Sequence, residues 1–177
     1  LQLKIKKLHP DAIVPAYQSA GAACFDLHAV LDHGEFTIEP ESGHAFLPIR
    51  TGLAVEVPPG WVMLIFSRSG HGFKHGIRLA NCVGVIDSDY RGEVQVKLHN
   101  DGEEFVTIRP GDRIAQAMLI PVPAVELVEV EELTDTARGA GGFGSTGTRQ
   151  MSDREWAAQP AGLREGCTKH VPGVGDL

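Results

Sequence analysis

Two carboxylates and a phenol, Asp87, Asp89 and Tyr90, stand close together in the stretch Asn81-Cys82-Val83-Gly84-Val85-Ile86-Asp87-Ser88-Asp89-Tyr90-Arg91-Gly92. An aspartate with an ordinary pKa of about 3.9 is ionised at neutral pH, so it can orient a water and accept its proton. Asp and Ser are equally at home in plain turns, where they bond to the local backbone, so this stretch alone leaves both readings open. The apolar run Val83 to Ile86 leads into it and the alternating Val94, Val96 and Leu98 lead out. That pattern predicts a hairpin with the acids at its tip.

Phosphate chemistry needs fixed cations and donors, and three other stretches offer them. Phe66-Ser67-Arg68-Ser69-Gly70 follows a buried run, and its guanidinium between two hydroxyls could present a fork to phosphate oxygens or be a surface arginine beside a turn. Gln116 lies where the turn Pro110-Gly111-Asp112 runs into an apolar strand, and Asp26 lies in Cys24-Phe25-Asp26-Leu27-His28-Ala29. An inner-face amide and an outer-face charge are ordinary on strands, so neither is diagnostic alone. His71 and His75 have the spacing of a helical metal pair, but Gly70, Gly72 and Gly76 undermine the helix.

The third donor stretch is a glycine-rich arm that includes Arg138-Gly139-Ala140-Gly141-Gly142-Phe143-Gly144-Ser145-Thr146-Gly147. Its literal GxGxxG lacks the preceding buried strand and following helix of a dinucleotide fold, and Ser145 stands where a Walker A lysine would be. Bare amides with Arg138, Ser145 and Thr146 could close around phosphates, with Phe143 stacking on a base. By composition alone the arm also reads as a flexible linker, although an exposed Phe gives a linker no structural return.

These groups require short elements to position them. Period-two alternation at Leu3/Ile5, Leu53/Val55/Val57, Val94/Val96/Leu98 and Val125/Leu127/Val130, punctuated by Gly and Pro, predicts an all-β sandwich or barrel. Only Ser67 to Lys74 could hold a short helix, and Asn100-Asp101-Gly102 reads as a tight hairpin turn. The division expected is a β domain over 1–133, a mobile arm over 134–150 and a further tail over 151–177.

At 177 residues the chain suits one core, and a net charge of −7 without a basic stripe argues against binding nucleic acid. No apolar run is long enough to span a membrane and the start alternates, which predicts a soluble, unprocessed chain. Cys24, Cys82 and Cys167 form no CxxC pair, which points to reduced thiols and the cytoplasm.

Taken in order, Ala23 to Ala29, Ser67 to Gly70, Gly84 to Gly92 preceded by Asn81, Pro110 to Gln116 and Arg138 to Gly147 resemble the five motifs of the trimeric dUTPase family. The resemblance spans about residues 1 to 150. It implies a jelly-roll-like, distorted β-barrel assembled as a homotrimer, with the C-terminal arm exchanged between subunits. The implied reaction is hydrolysis of dUTP to dUMP and pyrophosphate by water attack on the α-phosphate, which keeps uracil out of DNA and supplies dUMP for thymidylate synthesis.

In that scheme Asp87 activates the water. Arg68, Ser69, Gly70 and Gln116 hold phosphates from an adjacent subunit, and Arg138, Gly144, Ser145 and Thr146 close over the far end. Asn81, Val85 and Ile86 present main-chain groups to uracil, Tyr90 packs on the deoxyribose and Phe143 covers the base. Magnesium is carried by the triphosphate without direct protein ligands, Asp26 meeting its hydration shell. Cys24 departs from the family's usual glycine, an exchange able to redirect the backbone beside Asp26, and 151–177 runs past the usual end. The rivals are a dCTP deaminase of the same fold, for which Glu93 and Glu56 are available acids, and a non-catalytic nucleotide-binding or interaction module.

Overall fold

A computed structural model describes residues 1–40, 48–143, 152 and 158. It divides into two units, Leu1–Glu126 and Leu127–Leu177. The first unit is all-β with one short helix, and every ladder in it is antiparallel.

Its largest sheet places β2 (Phe25–His28), β11 (Arg113–Pro121), β5 (Trp61–Phe66) and β7 (Val83–Ile86) side by side in that order. A second sheet sets β4 (Ile49–Glu56) between β1 (Lys4–Lys7) and β8 (Glu93–Val96). Two further pairs join β3 (Phe36–Ile38) to β10 (Val106–Ile108), and β6 (Ile77–Leu79) to β9 (Leu98–Asn100). All four sheets contribute to one core, with Leu27, Ile38, Met63, Ile77, Val94 and Ile108 almost wholly buried. Each such side chain stabilises the fold by about 1.5–3 kcal/mol relative to exposure. Among the described residues the sheets do not close into a barrel: the all-β expectation holds, and four small sheets stand where a distorted barrel was expected.

Three local expectations change. The Asp87 stretch is not a hairpin, because β7 pairs with β5 and β8 pairs with β4. The turn therefore passes the chain between sheets, and its two arms spend their ladder bonds on other strands. Asn100-Asp101-Gly102 does turn, but as a packed corner between β9 and β10, which belong to different ladders. Val125, Leu127 and Val130 form no strand and stay exposed, since no neighbouring strand pairs with them.

The short helix does form, as α1 (Ser69–His75), despite its glycines. Gly76 closes it in the left-handed conformation at φ 66°, and Lys74 and His75 lie in the last turn, where cations favour the helix dipole. Gly76 also packs against Gly102, and the Asp101 N–H donates to its carbonyl at 2.9 Å.

Asn100 explains why that corner is rigid. It is fully buried, its Nδ2 donates to the carbonyls of Ile38 at 3.3 Å and Glu104 at 2.8 Å, and its Oδ1 accepts from the Gly102 N–H at 2.9 Å. Asn100→Leu strips partners from three backbone groups, so we expect a loss of about 2–4 kcal/mol. Urea unfolding should show a lower midpoint with an unchanged m value.

Candidate active site

The register of the largest sheet builds one recess directly. Gln116 pairs with Asp26 on one side and with Phe66 on the other, so Asp26, Gln116 and the end of β5 form a row across three strands. Gln116 Nε2 donates to the Ser67 carbonyl at 2.8 Å. Asp26 is buried, and its oxygens accept from Arg68 Nε at 2.9 Å and Arg113 Nη1 at 3.1 Å. Arg68 Nη1 donates to the Arg113 carbonyl at 3.2 Å, and among the described residues Nη2 has no hydrogen-bond partner. That leaves an aimed, immobilised cation facing a recess of about 380 Å³ lined by Ser67, Arg68, Ser69, Gly72, Phe73 and Gln116. Three of the residues selected from sequence, Arg68, Ser69 and Gln116, thus meet in one place. Phe73 was missed, and its 94% exposure gives the sequence pattern nothing to mark.

A second recess, of about 440 Å³, brings together Asn81, Gly84, Val85 and Ile86 with Gln95 and Lys97. β7 runs close to β5 here, since a Cβ on Gly84 would lie 3.1 Å from that of Ile65. The turn before it is tight: Cys82 adopts φ 61°, unusual for a side-chain-bearing residue, and the Val83 N–H donates to the Asn81 carbonyl at 2.6 Å. Gln95 and Lys97 were missed because they look like ordinary outward residues of an alternating strand.

The carboxylates fall in a third recess, of about 640 Å³, where Asp87, Ser88 and Asp89 face Trp61, Val122 and Pro123. Asp87 is exposed and its carboxylate has no hydrogen-bond partner among the described residues. Tyr90 turns back on its own loop, its hydroxyl donating to the Glu93 carbonyl at 3.0 Å. Asp87 continues the strand past Ile86, which pairs with Met63, whereas Arg68 lies beyond Phe66, which pairs with Val83. The two residues therefore attach at opposite ends of β5, a backbone offset of six residues at about 3.3 Å each, or roughly 20 Å along the strand direction.

In the second unit, Arg138 Nε donates to the Gly141 carbonyl at 2.8 Å and Gly139 adopts φ 50°. Phe143 also has φ 50° and is fully exposed. Gly144, Ser145 and Thr146, and the tail over 151–177 apart from residues 152 and 158, lie outside the described residues. Cys24 is half-buried and does not adopt a positive φ; burial and then the Asp26 carboxylate push its thiol pKa up. His71 and His75 do share α1, their rings 6.5 Å apart, but among the described residues no three His, Cys, Asp or Glu are grouped to hold a metal ion.

The chain is thus all-β, with an arginine–hydroxyl–amide recess at one end of β5 and a carboxylate-bearing recess at the other. The dUTPase family profile matches residues 10–147, and the chain belongs to the dUTPase family. It is 53% identical to a deoxyuridine 5'-triphosphate nucleotidohydrolase of Nautilia profundicola, over 83% of this chain and 99% of the relative. It is 50% identical to the enzyme of that name from Caulobacter vibrioides, over 77% and 87%. A solved mutant of the Staphylococcus bacteriophage 80alpha dUTPase, with dUpNHpp, matches with TM-score 0.73 at 27% identity, covering 83% of this chain and 99% of that one.

The histidines around the arginine recess carry a pH signature. Burial lowers the pKa of His28, opposed by Asp26 and reinforced by Arg113 and Arg68, and its Nδ1 is buried without a partner. Burial likewise lowers His71, with Arg68 and His75 adding. Both therefore resist protonation when folded but protonate near about 6.5 when unfolded. The unfolded chain binds more protons below that pH, so stability should fall as pH drops from 7 through 6. Urea midpoints across that range should show this slope, and His28→Gln with His71→Gln should flatten it.

Proposed function

We propose that the protein hydrolyses dUTP to dUMP and pyrophosphate, and that it does so as a homotrimer whose sites are each completed by neighbouring chains. The carrying observation is the separation along β5: roughly 20 Å divides Asp87 from Arg68, too far to act on one phosphorus. Placing Arg68 of one copy against Asp87 of another removes that gap. The names of the relatives and the dUpNHpp held by the phage enzyme agree with a uracil nucleotide as substrate.

In this reading the uracil enters the recess of Asn81, Val85 and Ile86, where backbone groups of β7 serve as donors and acceptors. Tyr90 lies against the deoxyribose and discriminates against a 2'-hydroxyl. Asp87 accepts a proton from water as the water oxygen bonds to the α-phosphorus; the bond from that phosphorus to the bridging oxygen breaks, and pyrophosphate leaves. Arg68, Ser69, Gly70 and Gln116 stabilise charge on the phosphate oxygens, which supplies most of the catalysis. Arg138, Phe143, Gly144, Ser145 and Thr146 arrive on the arm of a further copy and exclude water from the loaded site.

The residues present fit a substrate that brings its own magnesium. Asp26, the nearest acid to the phosphate recess, has both oxygens committed to Arg68 and Arg113, so it is not free to ligate a cation directly. The chain offers fork and hydroxyl donors to phosphates, and the ion neutralises triphosphate charge when bound. For the deaminase reading, Glu93 is engaged by Arg50 and Gly52, and Glu56 lies on the surface paired with Lys4 at 2.6 Å. No described helix is long and apolar enough to cross a membrane, and Cys24 and Cys82 are free, as suits the cytoplasm.

Asp87→Asn should retain nucleotide binding and lose about 10²–10⁴-fold in kcat. Pyrophosphate and ammonia release from dUTP, dTTP, dCTP and UTP tests the substrate, and ammonia from dCTP overturns the reading. Mixing unfolded Asp87→Asn and Arg68→Lys chains and refolding them together should restore turnover that neither has alone; a site within one chain would restore none.

A further inference from the structure

Tyr90 is held by a support that extends well beyond its own loop. Its ring lies over Gly92, where an added Cβ would collide with the ring and hydroxyl, and its hydroxyl bonds to the Glu93 carbonyl at 3.0 Å. Glu93 is in turn fixed through its side chain, which is only 15% exposed. One oxygen accepts from the Gly52 N–H at 2.8 Å, and Arg50 Nε approaches both oxygens, at 3.0 and 3.2 Å. The next carbonyl, that of Val94, accepts from the buried Thr51 hydroxyl at 2.6 Å.

Arg50, Thr51 and Gly52 are consecutive, and they sit where the β4–β8 ladder shifts register, between Arg50 and Ala54. Gly52 adopts φ 67°, and a side chain there would run into Ala12, His9 and Val30. The outer side of this bulge is tied down as well, with the Leu8 N–H donating to the Gly52 carbonyl at 2.7 Å and Arg50 Nη1 to Asp32 at 3.0 Å. A bulge leaves backbone donors without ladder partners. Here the Glu93 carboxylate supplies the missing acceptor, and the position of the Glu93 carbonyl follows from it.

We propose that Glu93, locked into the β4 bulge by Arg50 and Gly52, is a positioning residue that sets the Tyr90 ring and through it the discrimination between deoxyribose and ribose. The proposal rests on the reading of Tyr90 given above. Glu93 touches no reacting atom: it acts by holding a carbonyl, the carbonyl holds a hydroxyl, and the hydroxyl holds a ring. A loosened ring leaves room for a 2'-hydroxyl and loses packing on the deoxyribose, so selectivity should fall before turnover does.

The test compares kcat/KM for dUTP and UTP in the wild-type chain, Glu93→Gln, Tyr90→Phe and the double variant. Glu93→Gln keeps the shape and removes the charge that holds Arg50 Nε, while Tyr90→Phe removes only the hydroxyl. Each single change should lower the dUTP-to-UTP ratio about tenfold, and the double variant should lower it no further, because both break one chain of contacts. An unmoved ratio in folded Glu93→Gln, or losses that multiply in the double variant, would overturn the proposal. If Glu93→Gln does not fold, Arg50→Lys serves in its place, since it keeps the charge but not the two-point hold. A wild-type chain that leaves dUTP intact would instead overturn the functional reading beneath it.

Discussion

The buried carboxylate of Asp26 between Arg68 and Arg113 is the contact on which the architecture of the site depends. Removing one partner of such a pair typically costs about 3–5 kcal/mol, because it strands the other charges in a poorly solvated place. Here that energy is spent on orientation. Arg68 follows β5, outside any ladder, and without Asp26 its long side chain would be free to sample many rotamers. With Nε and Nη1 engaged, its remaining donors point one way. The same pair reports on strand register: a one-residue slip of β11 would send Gln116 to the opposite face from the recess it lines with Arg68.

That register has a second consequence. Strand β5 carries the arginine recess at one end, and its partner β7 delivers Asp87 to the other. No side-chain motion closes a gap of about 20 Å, so two parts of one proposed catalytic apparatus are kept apart by the ladder that makes each of them rigid. The proposed assembly from several copies would reconcile rigidity with proximity. It would also cover apolar groups that a lone chain leaves wet: Phe73 is 94% exposed beside Arg68, and Val85 is 60% exposed beside Asp87. Large apolar side chains at the rims of polar recesses are what a surface awaiting a partner displays.

Much of this was legible in the sequence because the informative signals are local. The residue types and order of Asp26, Arg68, Asp87 and Gln116 marked the candidate site, and period-two alternation marked the all-β class. What escaped were facts about partners distant in the chain. The sequence around Asp87 predicts a hairpin, since two apolar runs flank a turn, yet nothing local says that β7 prefers β5 and β8 prefers β4. Asn100 looked like a turn residue, and its more important contact, to the Ile38 carbonyl, spans 62 positions. Glu93 read only as an available acid for the deaminase alternative, because its partners Arg50 and Gly52 lie more than forty residues earlier. The alternation at Val125 to Val130 was real, but a strand needs a neighbour, and period two does not supply one.

The turn from Asp87 to Glu93 shows how openness and order coexist. Arg91 Nη1 bonds to the Ser88 and Tyr90 carbonyls at 2.8 and 2.9 Å, the Tyr90 N–H reaches the Asp87 carbonyl at 3.3 Å, and the Tyr90 hydroxyl closes on Glu93. The loop thereby satisfies much of its own backbone and leaves the Asp87 carboxylate uncommitted. The two aspartates therefore differ by environment: Asp26 is held between the guanidiniums of Arg68 and Arg113, whereas Asp87 is exposed and free of them.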